Sequence, residues 1–287
     1  MIDIKHALNR AIAFLNESSP SAQLDAEILL AHTLNTTRTF LYTHPEQTLT
    51  SDQHRAYQQL VTKRCEGTPI AYLTNSREFW SLPLRVGKDT LIPRPETELL
   101  VELALTLLKD VSPASIVDLG TGSGAIALAL ASERPDWQIL ACDFNQAAVE
   151  IAAHNATNLR LTNVHMCHSD WFAAIPSHQF NAIVSNPPYI AKNDPHLEQG
   201  DVRFEPKEAL ISGVAGLDSL NYIIQHSYDR LLPGGLLLLE HGYDQKHAVT
   251  SMLKARGYEH VKCWQDWQGH DRVSGGWRND VEINNRK

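Results

Sequence analysis

Apolar and polar positions follow two regimes along the chain. Over residues 1–68 the apolar residues recur at helical spacing, and Ile4, Ala7, Leu8, Ala11, Ile12 and Leu15 form an i, i+3, i+4 stripe. Ser21 precedes a second amphipathic run, SAQLDAEILLAHTL, and Ser51 opens a third, SDQHRAYQQLVTKRC, each as the N-cap. The pattern predicts a small helical bundle. Between about 70 and 95 the period shortens: REFWSLPLRV reads as a strand, and Val86-Gly87-Lys88-Asp89 as the turn before TLIP. A β-hairpin linker over 69–95 follows. Pro93 and Pro95 end the strand, and Pro95 suits the first turn of a helix over PETELLVELALTLLKD.

From residue 96 onward, short apolar strands alternate with helices. The expected order is strand SIVDLG, helix GAIALALASE, strand QILACDF, helix NQAAVEIAAHNA, and strands NVHMCHS and FNAIVSN. After a long loop come helix LDSLNYIIQHSYDRLL, strand GGLLLLEHG, helix KHAVTSMLKARG, and a final strand pair near YEHVKCWQD and GWRNDVEI. Such alternation implies an α/β domain over 96–287, with a mostly parallel sheet covered on both faces. The final pair would form an antiparallel edge. The pattern carries no internal repeat.

Composition narrows the function. A hydrophobic fraction of 43% and a charged fraction of 20% are those of a globular protein. A net charge of -8 argues against a nucleic-acid glove. Residues 1–74 carry 6 Lys/Arg against 7 Asp/Glu, a net of -1, so the bundle is not a basic DNA reader and instead packs on or recognises protein. Cys65, Cys142, Cys167 and Cys263 are scattered without a C-x-x-C pair, which points to a reducing compartment and away from disulfides or structural zinc. His165 and His168 flank Cys167, but strand alternation separates them, and no metal is expected. The start lacks a signal-peptide pattern, and no stretch approaches the about 20 apolar residues of a membrane span. A cytoplasmic protein is expected.

The first α/β strand runs into Asp118-Leu119-Gly120-Thr121-Gly122-Ser123-Gly124 and then a helix. Glycines let the backbone turn sharply and let a ligand approach it closely. The spacing G-x-G-x-G differs from the dinucleotide fingerprint, and Asp118 beside it would repel a pyrophosphate and attract a cationic ligand. Asp143 ends the second strand 19 residues after Gly124, placed to accept from ribose hydroxyls. Ser169-Asp170-Trp171 ends the third, where a carboxylate suits an adenine amino group and an aromatic covers the ring. Acids at successive strand ends make an adenosine site. With a cationic moiety, the cofactor expected is S-adenosyl-L-methionine.

The fourth strand runs into Asn186-Pro187-Pro188-Tyr189. Two prolines stiffen the exit and leave bare carbonyls, and Asn186 adds a side-chain acceptor. Rigid acceptors beside an aromatic face suit a planar NH2 group. An amide nitrogen is a poor nucleophile because its lone pair is shared with the carbonyl. Acceptors on its hydrogens return density to nitrogen, and positioning for in-line attack on a sulfonium methyl supplies much of the rest.

These residues resemble the bacterial HemK/PrmC-type glutamine methyltransferases, which methylate the glutamine of the Gly-Gly-Gln motif in peptide-chain release factors. The resemblance runs nearly end to end. It includes Arg77-Glu78-Phe79-Trp80, Ile92-Pro93-Arg94-Pro95-Glu96-Thr97-Glu98, the glycine-rich turn, Asp143, Ser169-Asp170-Trp171-Phe172, Asn186–Tyr189, Asp201-Val202-Arg203-Phe204-Glu205-Pro206 and Leu239-Glu240-His241-Gly242. After Arg272, Val-Ser-Gly-Gly-Trp-Arg-Asn departs from the family's ending.

The resemblance implies a Rossmann-like class I S-adenosylmethionine-dependent methyltransferase domain behind a helical substrate-recognition domain over 1–68. It implies that Gly120, Thr121, Gly122, Ser123, Gly124, Asp143, Trp171 and Asn186 contact the cofactor. Asn186, Pro187 and Tyr189 would carry the chemistry. Asn186, Pro187, Pro188 and Tyr189 would cradle the glutamine amide, with Phe79 as a second aromatic wall. A monomer acting on release factors is expected, with no direct DNA or membrane partner. Two alternatives stand beside it: an adenine amino-methyltransferase acting on DNA or RNA, which would need base flipping and phosphate contacts, and a non-catalytic adapter that senses the cofactor.

Overall fold

The computed structural model describes residues 2–176 and 179–279. The chain divides into two compact units, Met1–Ser76 with Pro195–Phe204, and Arg77–Asp194 with Glu205–Lys287.

The first unit holds helices α1 (Ile4–Leu15), α2 (Ala22–Leu34), α3 (Arg38–Thr43), α4 (Ser51–Cys65) and α5 (Ile70–Thr74). Asp3 caps α1 by accepting the His6 amide, and Ile4, Ala7, Ala11 and Leu15 of the expected stripe are buried. Thr50, rather than Ser51, caps α4 in a reciprocal capping box with Gln53. Helix α2 is not the one-sided amphipathic helix expected. It packs against α1, α3, α4 and α5, and buries Asp25 and Glu27 while leaving Leu24 41% exposed. Burial of these acids is tolerable because each has a cation: Arg64 Nε reaches Asp25 at 2.6 Å and Arg38 Nη2 reaches Glu27 at 2.6 Å. The short helices α3 and α5 were not expected, since five or six residues are too few to show a period. Within the same unit, Arg64 Nη1 also lies 3.4 Å from Asp201.

The hairpin pairs β1 (Ser76–Phe79) with β2 (Leu82–Arg85). Its turn is Trp80-Ser81, with φ of 52° and 58°, not the expected Val86–Asp89, and TLIP forms no strand. Positive φ at both central residues is what a tight two-residue hairpin turn requires, but without Asn or Gly the sequence does not announce it. Glu98 holds the turn by accepting the Trp80 amide at 2.9 Å, and Glu133 accepts the indole N–H at 2.8 Å.

A single 3-10 turn, Pro95–Thr97, leads into α6 (Glu98–Leu107). Then follow β3 (Ser115–Leu119), α7 (Ala125–Glu133), β4 (Gln138–Asp143), α8 (Gln146–Asn158), β5 (Val164–His168) and β6 (Phe180–Ser185). Last come α9 (Asp218–Ser227), β7 (Leu231–Glu240), α10 (Lys246–Arg256), β8 (Glu259–Gln265) and β9 (Asp271–Trp277). Among the described residues the strands form one seven-stranded sheet, ordered β5-β4-β3-β6-β7-β9-β8. The first five run parallel, and β9 lies antiparallel between β7 and β8.

Strand alternation explains how an unbroken apolar run such as Leu236–Leu239 serves two cores. Leu236 and Leu238 join Ile116, Ile139 and Val184 beneath α6 and α7, whereas Leu237 and Leu239 join Val117 and Ile183 beneath α9 and α10.

The last strand corrects the expectation. It covers 271–277 rather than GWRNDVEI, whose residues 280–283 lie outside the described part. Gly275 and Gly276 look like a turn but sit mid-strand. A Cβ at Gly275 would lie 2.4 Å from the Leu237 carbonyl oxygen, and one at Gly276 would lie 2.9 Å from Tyr258 Cβ. Glycine here permits close approach of neighbouring backbone and side chains.

Candidate active site

Strand order reverses between β3 and its neighbours β4 and β6, so the connections leaving these strands diverge and open a crevice at their carboxyl ends. A cavity of about 420 Å³ lies there, lined at its base by Gly120–Ser123, Asp143–Asn145, Ser169–Trp171, Asn186 and Pro188. Four successive strand ends thus converge.

The glycine-rich turn is fixed by its own backbone. The amides of Gly120 and Thr121 both donate to the Cys142 carbonyl at 2.9 Å, and Gly124 N donates to Thr121 O at 2.8 Å. Two of the glycines serve different ends. Gly122, with φ of 56°, has nothing within 4 Å of where a Cβ would stand, so its bare face is open to a ligand. Gly124, with φ of 87°, is not a lining residue: a Cβ there would press on Leu128 Cδ1 at 2.8 Å and Ala152 Cβ at 3.2 Å. It seats α7: its amide closes the turn on Thr121, and its carbonyl accepts the Leu128 amide at the start of the helix.

Asp143 Oδ2 accepts the Gly122 amide and Oδ1 accepts the Asn145 amide, each at 2.8 Å. Each oxygen keeps further lone pairs. Burial raises the Asp143 pKa, while the Asn145 and Gly122 amides and His168 oppose that rise. Asp118 is different from what the sequence suggests. It is fully buried, does not line the cavity, and accepts the Thr121 hydroxyl at 2.6 Å. Burial pushes its pKa up to about 7, so it braces the turn rather than presenting a charge to a ligand. Trp171 and Asp170 line the cavity, and Trp171 takes a positive φ of 46°, with the Ser169 hydroxyl donating to its carbonyl at 2.8 Å.

Asn186 faces the cavity, and its Nδ2 donates to Thr97 Oγ1 at 3.2 Å. Pro187 is buried and, with Tyr189, is absent from the cavity lining. The Tyr189 ring packs on the core beneath α9 and α10, and its hydroxyl donates to Glu240 Oε1 at 3.3 Å. Burial raises the pKa of that hydroxyl. Phe79 is 2% exposed, among Leu84, Leu100 and Val101 in the core, and is no wall of the cavity. It is the inward position of β1, which alternation turns toward α6.

With the geometry in place, relatives become informative. The chain is 50% identical to a release factor glutamine methyltransferase of Shewanella oneidensis, over 98% of both chains. A protein of the same name from Escherichia coli is also 50% identical, over 96% of this chain and 99% of that one. The chain belongs to the release factor glutamine methyltransferases. The resemblance read from its motifs is thus confirmed across its whole length. Family models agree by region: the PrmC N-terminal domain matches residues 6–74 and the methyltransferase small domain matches residues 96–202. Among solved structures, a methyltransferase from Pyrococcus furiosus shares the fold at a TM-score of 0.52 and 18% identity, covering 69% of this chain and 89% of that one.

Sequence reasoning about this family member missed three contributors. Phe144, 68% exposed, lines the cavity directly after Asp143; an aromatic between a strand-end acid and the helix cap Asn145 was the available signal. Thr97 lies behind Asn186, on a segment quoted only as part of a motif. Asn155 of α8 is buried and clamps two elements at once. Its Oδ1 accepts Arg85 N at 2.8 Å, and its Nδ2 donates to Arg85 O and Ser123 O, each at 2.9 Å. One side chain thereby ties β2 to the glycine-rich turn, and no local pattern could have revealed it.

Proposed function

We propose that the chain transfers a methyl group from S-adenosylmethionine to the side-chain amide nitrogen of the glutamine in the Gly-Gly-Gln motif of peptide-chain release factors. The observation that carries this reading is Asn186 on a cavity shared with the glycine-rich turn and Asp143, in a chain half identical throughout to proteins named for that reaction.

The residues present fit the cofactor. A cavity of about 420 Å³ is of ligand size. Gly122 leaves open space, and the buried Ser123 hydroxyl has no hydrogen-bond partner. Asp143 retains lone pairs for ribose hydroxyls, Asp170 and Trp171 suit the adenine, and the turn from Gly120 meets the remainder. When bound, S-adenosylmethionine supplies an electrophilic methyl group on its sulfonium sulfur.

The protein's own work is done on the nitrogen. Asn186 Oδ1, on the cavity wall, accepts one of its hydrogens, which favours a pyramidal nitrogen with density available for attack. The Pro187-Pro188 pair keeps that acceptor in place, and one proton is released to solvent once the methyl is gained. Tyr189 braces the motif through Glu240. The helical unit, near-neutral in charge, grips the factor outside the glutamine pocket.

The test is mass spectrometry of a release factor incubated with the enzyme and labelled cofactor, beside a Gln→Glu version and an adenine-containing DNA duplex. One methyl on the motif glutamine of the natural factor is expected. A carboxylate offers only lone pairs to the acceptors, so the Glu version should lose several kcal/mol of transition-state stabilisation, roughly the cost of unpaired buried polar groups. Label on the DNA alone hands the case to the nucleic-acid reading.

A further inference from the structure

Behind Asn186 lies a row of polar side chains that the Asn186–Tyr189 motif does not contain. Asn186 Nδ2 donates to Thr97 Oγ1 at 3.2 Å. Thr97 is buried in the turn before α6 and stands beside Glu240, where its hydroxyl favours the ionised carboxyl; Glu240 Oε2 is buried with no other hydrogen-bond partner. Glu240 ends β7 at 1% exposure; its Oε1 accepts the Tyr189 hydroxyl at 3.3 Å. The charged and titratable groups facing it are Arg272 of β9, Tyr189 after β6 and Glu96 beside Thr97. Arg272 is itself held by Asp266 Oδ2 at 3.2 Å and the His241 carbonyl at 3.3 Å.

A primary amide has two ends of nearly equal size and opposite polarity, and only its hydrogen-bond partners decide which end points where. A threonine hydroxyl has one proton. If that proton goes to a carboxylate, the hydroxyl can only accept from Asn186, so Nδ2 turns to Thr97 and Oδ1 turns to the cavity. We infer that Thr97 and Glu240 are positioning residues that fix the polarity of the Asn186 amide, and so supply the acceptor that the substrate nitrogen requires. This inference rests on the reading of Asn186 as an acceptor of the glutamine amide.

A protonated Glu240 reverses the relay. It becomes a donor to Thr97, whose own proton then points at Asn186 and favours the amide with its oxygen turned away from the cavity. Burial pushes the Glu240 carboxyl up to about 7, with Glu96 adding to the rise and Thr97, Arg272 and Tyr189 opposing it. The wrong polarity therefore gains population as pH falls through neutrality, and kcat falls with it.

The experiment measures kcat and KM for release-factor methylation across the neutral range, together with calorimetric cofactor affinity. Thr97→Val keeps the shape but removes the relay. It should lower kcat about 10- to 100-fold, the range set by a lost buried hydrogen bond, with KM and cofactor affinity largely unchanged. Thr97→Ser, which keeps the hydroxyl, should restore most of kcat. Glu240→Gln cannot titrate and should lose the acid limb of the wild-type kcat profile. Equal losses in the Val and Ser variants, an undiminished kcat in Thr97→Val, or an acid limb kept in Glu240→Gln each overturn the relay. Wild-type enzyme that binds cofactor but transfers no methyl to the factor overturns the functional reading itself, before the relay is reached.

Discussion

Two glycines of one turn make opposite predictions when each is changed to alanine. At Gly124, a φ of 87° costs an L-residue about 1–2 kcal/mol, and a Cβ at 2.8 Å from Leu128 and 3.2 Å from Ala152 adds overpacking of about 1–3 kcal/mol. Both terms fall on the packing of α7 and α8 against the sheet. Gly124→Ala should therefore lower stability by about 2–5 kcal/mol, which for a unit of this size is a melting shift on the order of 5–15 °C. At Gly122, a φ of 56° carries the same backbone cost of about 1–2 kcal/mol, but no atom within 4 Å meets the new methyl.

The methyl at 122 instead enters the cavity. If a ligand passes close to that backbone, it meets an obstruction costing about 1–3 kcal/mol, or roughly 5- to 100-fold in affinity. Thermal unfolding and calorimetry with S-adenosylmethionine separate the two variants. Gly122→Ala should melt only about 2–8 °C below the wild type yet bind weakly, and Gly124→Ala should melt earlier still yet, while folded, bind nearly as the wild type does. Gly122→Ala that binds cofactor with wild-type affinity refutes the assignment of that face to the ligand.

Two further outcomes follow from the acids of the site. Asp143→Ala should weaken cofactor binding by roughly 1.5–3 kcal/mol, the worth of charge-assisted hydrogen bonds, and an unchanged affinity by calorimetry would remove Asp143 from the site. Asp118 is raised from 3.8 to about 7 by burial, so the folded state binds its proton more tightly than the unfolded state does. Its contribution is complete below the unfolded pKa and is lost as pH rises toward about 7, so stability should decline across that window. Asp118→Asn should flatten the decline in urea unfolding, leaving the part that belongs to Glu240 and Asp143, whose pKa values burial also raises; an identical slope in the variant contradicts the assignment.

What the sequence made legible divides along a physical line. Periodicity located the central strands β3, β6 and β7 because each is buried on both faces and so reads as an apolar run bounded by turns. It failed where burial and composition part company. Asp25 and Glu27 look like a solvent face and are buried on cations, while the last strand, read from Gly276 onward, instead spans Asp271–Trp277 between β7 and β8. In both places a distant partner decides the outcome: a guanidinium in one, the backbone of β7 in the other. Trp80-Ser81 is the same failure at short range, since Glu98 and Glu133 hold the turn that its own residues do not signal.

The site shows why a motif discloses chemistry more readily than mechanism. Residues such as Asp143 and Asn186 are recoverable because their roles follow from their place at strand ends, and strand ends are local features of the chain. What orients them is not local. Asn186 is turned by Thr97, 89 residues earlier, and Tyr189 is anchored by Glu240, 51 residues later. The expectation that Tyr189 stacks on the substrate came from its neighbours in sequence, whereas its ring packs on a core built from β3, β6, β7 and α9. Parallel sheet topology brings the ends of β6 and β7 side by side only after a crossover through α9, so a reading along the chain sees the acceptor and not the groups that aim it. Catalytic geometry depends on those aiming groups, because an amide reversed end for end keeps the motif intact and loses the acceptor that the reaction needs.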